Sequence, residues 1–271
     1  MATLTDLKKR LRGVQTICQL AGAMRTVSSA KLARLNAVNA AFAAYAQGCR
    51  ELLEASGAVL SPPEGADRTL VILLSGNRGL CGSYHNDLFA FFRSLAEPER
   101  QDYIACGRMA AAYCREKGYP LLDVFSVSDV PQFAEAEALA DRILALYSGG
   151  GIGRVLFVWG EGVTALRQEP RQLELLPGEG GGKAGDLLWI PDQETATEGL
   201  AEFCLRTQIY SLLLRGATGV QGATLVSMRS AYDNGTKSAA ALETAINRQR
   251  QTQVTSGVIE TSSGYGPWRE G

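Results

Sequence analysis

The sequence holds a single histidine, His85. That excludes catalysis built on two imidazoles and any histidine-rich metal site. Its six cysteines, Cys18, Cys49, Cys81, Cys106, Cys114 and Cys204, include no C-x-x-C pair, so neither a zinc site nor a disulfide framework is implied, and reduced thiols in a cytosolic setting are the simplest reading. No apolar run approaches the ~20 residues that span a bilayer, and Met1-Ala-Thr-Leu-Thr5 lacks the basic-then-apolar order of a signal peptide. A membrane role would need another chain as anchor. Proline is missing from Leu4 to about Ala55 and again from about Glu194 to Ser256, which leaves both ends of the chain free to run as uninterrupted helix.

What is present fits that division. Near the N-terminus an apolar seam steps by three and four through Leu4, Leu7, Leu11, Val14, Ile17, Leu20, Met24 and Val27, then Leu35, Val38, Phe42, Tyr45, Cys49 and Leu52. Such a seam predicts one helix of roughly 75 Å at 1.5 Å per residue, long enough to argue for a coiled coil. Its spacing slips between Met24 and Leu35, predicting a local change of supercoil pitch. Gly57 and Pro62-Pro63 end it. The C-terminal helix keeps a similar spacing through Ile209, Leu212, Gly216, Gly219, Ala223, Val226 and Ser230. Glycine inside a helix costs about 1 kcal/mol relative to alanine, so small residues here predict close approach of a second helix, supplied by the N-terminal segment.

Between the helices, residues 68–191 alternate β-rich runs with amphipathic stretches. Thr69 to Leu74, Tyr103 to Cys106, Leu121 to Val127 and Val155 to Trp159 read as strands; Asn86 to Ala96, Met109 to Lys117 and Phe133 to Leu146 read as helices. That pattern predicts a mostly parallel sheet covered on both faces. Leu173 to Leu176 and Leu187 to Ile190 would add a hairpin around Gly178 to Gly185. The expected fold class is α/β: a long antiparallel coiled coil of N- and C-terminal helices (1–57 and 194–271) with an inserted Rossmann-like α/β domain (68–191). Net charge is −1 overall, yet residues 1–57 carry 8 Lys/Arg against 3 Asp/Glu and residues 58–194 carry 12 against 19. A basic N-terminal helix suits an acidic partner, or is simply a solvated face.

Two glycine-rich runs test for phosphate binding. "LSGNRGLCGSYHND" at 74–87 follows a strand and opens a helix, but holds no lysine, and Gly76, Gly79 and Gly82 are spaced three apart. It matches neither the Walker nor the dinucleotide pattern. A structural strand-to-helix turn with glycine at positive φ, served by Gly79 and Gly82 with Cys81 packed against the sheet as a small buried thiol, is the favoured reading. Gly178-Glu-Gly-Gly-Gly-Lys-Ala184 is one residue short of the Walker spacing and carries alanine where a hydroxyl belongs. Glu97 with Glu99 and Glu135 with Glu137 read as solvated pairs, and no nucleophile, base and orienting group come together. Lys8-Lys9-Arg10 and Arg12 are too few, without a reading module, to indicate nucleic acid. Neither cofactor, metal nor catalytic residues are expected.

Three co-linear motifs carry a resemblance. "LKKRLRGVQTICQLAGAMRTVSSAKLARL" (7–35), "RGLCG" (78–82) and "MRSAYDNGTKSAAALETAINRQRQTQVTSGVIETSSG" (228–264) are together similar to the γ-subunit family of F-type ATP synthases, the central rotor shaft, over the whole chain. The resemblance implies a non-catalytic subunit whose paired terminal helices enter a hexamer of α and β subunits. Its α/β domain would meet the ε subunit and the membrane c-ring. The complex would couple ion flow to ATP synthesis or hydrolysis at the cytoplasmic face of a bacterial cell membrane, with no nucleic-acid partner and no direct membrane insertion. It also implies that Met24 lies near a β-subunit lever and that Arg250 and Gln251 bond to a β loop, with Thr255 and Glu260 alongside. The family's lysine two residues before Met24 is Gly22 here. Its charged run before Met228 appears as Gly219-Val-Gln-Gly-Ala-Thr-Leu225. The alternatives are a coiled-coil scaffold or adaptor with a Rossmann-like docking domain, and a free-standing nucleotide-binding protein built on residues 75–82.

Overall fold

The computed structural model describes residues 3–164, 167–178 and 192–264. Leu187 to Ile190 and residues 179–184 of the second glycine-rich run therefore lie outside the described residues. The elements are α1 (Leu4–Ser56), β1 (Arg68–Leu74), α2 (Tyr84–Leu95), β2 (Gln101–Cys106), α3 (Arg108–Lys117), β3 (Leu121–Phe125), α4 (Phe133–Ser148), β4 (Ile152–Gly162), β5 (Gln168–Leu176) and α5 (Gln193–Gly264). The chain divides into two compact units, residues 1–26 with 228–271, and residues 27–227.

In the larger unit a five-stranded sheet has the order β3-β2-β1-β4-β5. β1 pairs in parallel with β2 and β4, β2 in parallel with β3, and β5 antiparallel with β4. Alternation along β1 shows why this is a two-faced layer. Leu70, Ile72 and Leu74 point to one side, against Leu139 and Ile143 of α4 and Leu205, Ile209 and Leu212 of α5. Val71 and Leu73 point to the other, against Leu88 and Phe92 of α2 and Ala110 and Cys114 of α3. A central strand buried on both faces needs a continuous apolar run, and Leu70-Val-Ile-Leu-Leu74 supplies it.

The expected late hairpin has its second strand, Leu187 to Ile190, outside the described residues, while its first strand is described. Leu173 to Leu176 is the second half of β5, whose partner is β4, with Phe157 opposite Leu173 and Gly160 opposite Pro170. Pro170 with Glu169, Arg171 and Glu174 suits β5 to its place at the edge of the sheet among the described residues, where a missing N–H and exposed charge are tolerated.

Each unit also contains an antiparallel pair formed by α1 and α5. In the larger unit Asn39 Nδ2 donates to Thr218 Oγ1 at 3.0 Å, Phe42 meets Tyr210 edge-on at 4.9 Å, and Cys204 Sγ donates to the Cys49 carbonyl at 3.3 Å. In the smaller unit Gly22 lies under the ring of Tyr232 and Cys18 faces Gly235.

The expected seam of α1 is corrected here. Its inward positions are Leu4, Leu7, Leu11, Val14, Cys18, Ala21 and Arg25 in one unit, and Ser28, Leu35, Phe42, Ala46 and Cys49 among those in the other. These keep a single heptad phase, so the slip expected near Met24 is not there. Ile17, Leu20 and Val27 are instead 58%, 59% and 51% exposed. Tyr45, Leu52 and, on α5, Ser230 are exposed as well. Size misleads in this region because the contact selects for closeness: a Cβ on Gly235 would sit 2.4 Å from Cys18 Sγ.

Candidate functional site

In a doubly wound sheet, ligands bind beyond the carboxyl ends of the strands, where the strand order reverses. Here that point lies between β1 and β4, and α5 lies across it. A Cβ on Gly216 would meet Leu74 Cδ2 at 2.4 Å, and one on Gly219 would meet the Gly160 carbonyl oxygen at 2.4 Å. The helical glycines therefore admit the sheet, not α1 as the sequence suggested. Gly160 is gripped from its other side: its own Cβ would fall 2.6 Å from the Tyr84 ring, and Tyr84 Oη donates to its carbonyl at 3.0 Å. What remains at the end of β1 is a pocket of about 20 Å³ bordered by Ser75, Asn77, Gly216 and Gln221, room for about one water.

The turn after β1 is spent on the chain's own amides. Ser75 Oγ accepts from Ala110 N at 2.7 Å, the Gly76 carbonyl from Met109 N at 3.2 Å, and Asn77 Oδ1 from Arg108 N at 3.1 Å. These are the first N–H groups of α3, the donors that a helix N-terminus offers to an anion. Residues 75–77 thus cap a helix distant in sequence.

Further along, Gly82 has φ +62°, but Gly79 does not lie in the positive region; Leu80 does, at φ +66°. Cys81 is 3% exposed and packs in the α2–α3 core, and burial pushes its thiol up. His85 Nε2 donates to the Arg78 carbonyl at 3.0 Å while Nδ1 is buried without a partner. Burial pulls the imidazole's pKa down, against the hydrogen bond to Arg78, which raises it. The turn is a folded joint.

Among the described residues no group of three or more His, Cys, Asp or Glu side chains is placed to hold a metal. No described helix is long and apolar enough to cross a membrane.

The family-suggested contact residues all fall in the smaller unit. Met24 is half-buried, beside the Gly22–Tyr232 contact, where Arg25 lies over the Tyr232 ring at 4.9 Å. The inward row on α5 runs Met228, Tyr232, Gly235, Ala239, Leu242, Ile246 and Gln249 and stops. From Arg250 to Ile259 every described side chain is exposed. Arg250, Gln251 and Thr255 belong to this stretch, Thr255 Oγ1 donating to the Gln251 carbonyl at 2.9 Å. Glu260 is in the helix, but its side chain lies outside the described residues.

Sequence reasoning missed the apolar members of the stretch, Val254, Val258 and Ile259, which are 60%, 60% and 61% exposed. Several large apolar side chains exposed on one stretch of helix form a surface suited to burial by something else. Missed too was Gly160, although an isolated glycine in a strand run signals close backbone approach.

A family model described as ATP synthase matches residues 3–266. The chain is 29% identical over 280 residues to the ATP synthase gamma chain of Alkaliphilus metalliredigens, covering 96% of this chain and 97% of that one. It is 28% identical over 276 residues to that of Desulfitobacterium hafniense, with 97% and 98% covered. Its fold is similar to a chain in the Euglena gracilis mitochondrial ATP synthase structure of OSCP, F1 and c-ring, with a TM-score of 0.72, 15% identity, and 99% and 98% covered. It is similar also to one in the central stalk and c-ring of the Tetrahymena thermophila mitochondrial enzyme, with a TM-score of 0.63, 17% identity, and 78% and 99% covered. Matched by that model over nearly its whole length, and co-linear with its relatives from end to end, the chain belongs to the ATP synthase family whose curated members carry the name gamma chain.

Proposed function

We propose that the chain is the central-stalk γ subunit of a rotary F-type ATP synthase. It carries torque between a membrane c-ring and a hexamer of α and β subunits, coupling ion translocation to ATP synthesis or hydrolysis, and itself catalyses nothing. The observation that carries this reading is the exposed end of α5: Arg250 and Gln251 followed by Val254 and Val258, on a stretch where every described side chain from 250 to 259 is exposed. A ring of subunits closing around it would bury that surface. Met24, Arg250, Gln251, Thr255 and Glu260 are proposed contacts to the β subunits. The exposed Ile17 and Leu20 on the partner helix fit the same sleeve.

Residues 68–191 are proposed as the docking domain for the ε subunit and the c-ring. The sealed switch point and the occupied α3 amides favour docking over nucleotide binding in that domain. The chain would sit peripherally at the cytoplasmic face of a bacterial cell membrane, held by its partners.

Coexpression with the α and β subunits of the same source tests the reading. Wild-type chain should yield a complex whose ATP hydrolysis depends on its presence, and Val258→Asp should weaken assembly or turnover at least several-fold. The isolated variant should keep the wild-type unfolding midpoint, because an exposed residue loses no packing. Assembly and turnover indifferent to omitting the chain would end the rotor reading. Tight magnesium-dependent ATP binding by the isolated chain would revive the enzymatic one.

A further inference from the structure

We propose that Cys49 and Cys204 are a redox pair, forming a reversible disulfide that staples α1 to α5 within the larger unit. The inference stands apart from the rotor reading. The two residues are 155 positions apart in sequence, yet the Cys204 sulfur lies 3.3 Å from the Cys49 carbonyl oxygen. Tyr45, one turn before Cys49, shares the same environment, feeling both thiols and meeting the Phe203 ring at 6.2 Å. The remaining cysteines are elsewhere. Cys81, Cys106 and Cys114 are buried in the α/β domain, and Cys18 faces Gly235 in the other unit.

The two thiols are unequal in a way that sets an order of events. Cys49 is half-buried and reachable, whereas Cys204 is buried. Burial, with the Cys49 thiol beside it, pushes the Cys204 thiol up to about 11. Cys49, the thiol a reagent can reach, is therefore the first to react. With a small disulfide such as oxidised glutathione, the Cys49 thiolate attacks one sulfur and releases one glutathione thiolate. Cys204 then loses its proton to solvent and attacks the Cys49 sulfur, releasing the second. Two protein thiols are oxidised, one glutathione disulfide is reduced, and the balance closes. The weakly ionised Cys204 makes the second step the slower.

The bond would close a loop holding all of β1 to β5, so it restricts the unfolded chain more than the folded one. Neither sulfur is on the exposed stretch of α5 after Gln249.

The full-length folded chain, incubated with excess oxidised glutathione, acid-quenched, alkylated and digested, gives the test by mass spectrometry. The expected product is a Cys49–Cys204 peptide pair from a monomeric chain, with Cys18, Cys81, Cys106 and Cys114 alkylated, all reversed by dithiothreitol. Cys204→Ser should stop at a Cys49–glutathione adduct, and Cys49→Ser should leave Cys204 a thiol. The oxidised chain should unfold at a higher urea concentration than the reduced one. In the wild-type chain alone, a persistent Cys49–glutathione adduct beside a free Cys204 would overturn the pairing, as would a Cys49–Cys49 dimer. An unchanged or lowered midpoint with the bond formed would overturn the staple.

Discussion

Replacing Gly219 with alanine sets two effects of opposite sign against each other. In a helix interior the exchange is favourable by about 1 kcal/mol, since glycine gives up more backbone freedom on folding. Against it stands the Gly160 carbonyl oxygen, 2.4 Å from where the new Cβ would sit. That atom is backbone and cannot swing away as a side chain would. β4 cannot retreat either, because Tyr84 presses on Gly160 from the other side and holds the same carbonyl.

Overpacking costs about 1–3 kcal/mol, and a contact trapped on both sides belongs at the upper end, leaving a net loss of about 2 kcal/mol. With a urea dependence of about 2–3 kcal/mol per M, the midpoint should fall by about 0.7–1 M. Fluorescence of Trp159, which is buried and lies 3.9 Å from a Cβ on Gly216, reports the transition locally. Gly48→Ala is the matched control: it is also mid-helix, but nothing lies within 4 Å of its Cβ. It should gain up to about 1 kcal/mol. A Gly219→Ala chain as stable as wild type, alongside a stabilised Gly48→Ala, would refute the close approach of α5 to the sheet.

Two further substitutions test the joint at the end of β1. Ser75→Ala removes the acceptor for Ala110 N and should cost about 1 kcal/mol, as loss of a helix cap does; faster hydrogen exchange at the Ala110 amide should accompany it, and unchanged protection would contradict the cap. His85 is the sole histidine, and burial holds its folded pKa below the unfolded value. The unfolded chain therefore takes up the proton first, and stability present above about pH 6.5 is lost as pH falls through the folded value. Urea midpoints at about pH 7.5 and about pH 5.5 should differ less in His85→Gln than in wild type. Equal losses would assign the pH dependence elsewhere.

Much of the fold was legible because burial on two faces writes itself as a continuous apolar run. β1, β2 and β4 were found that way, and the helices between them by their amphipathic spacing. β5 was half-missed because an edge strand is not buried on both faces, and Gln168-Glu-Pro-Arg-Gln172 carries no apolar run. The helical seam was misread for a physical reason. Periodicity follows the largest apolar residues, whereas Cys18, Ala21 and Ser28 face inward and Ile17, Leu20 and Val27 face out. The glycines of α5 were recognised as a close-contact stripe, but which surface they meet depends on a sheet that only the folded chain assembles. At the candidate site, the motif positions came from resemblance, and the exposed Val254, Val258 and Ile259 came from the structure.

The pairing of α1 with α5 also has a consequence for how the chain is made. The ribosome releases α1 first and α5 last, and the segment between Ser56 and Gln193 occupies synthesis for roughly 7–30 s at about 5–20 residues per second. Throughout that interval Leu4, Leu7, Leu11 and Val14 have no cover from their eventual partner. Nascent α1 must therefore be kept from aggregating by other means, and such a seam is a natural client for holding chaperones. A chain cut short before α5 would be a product for proteolysis.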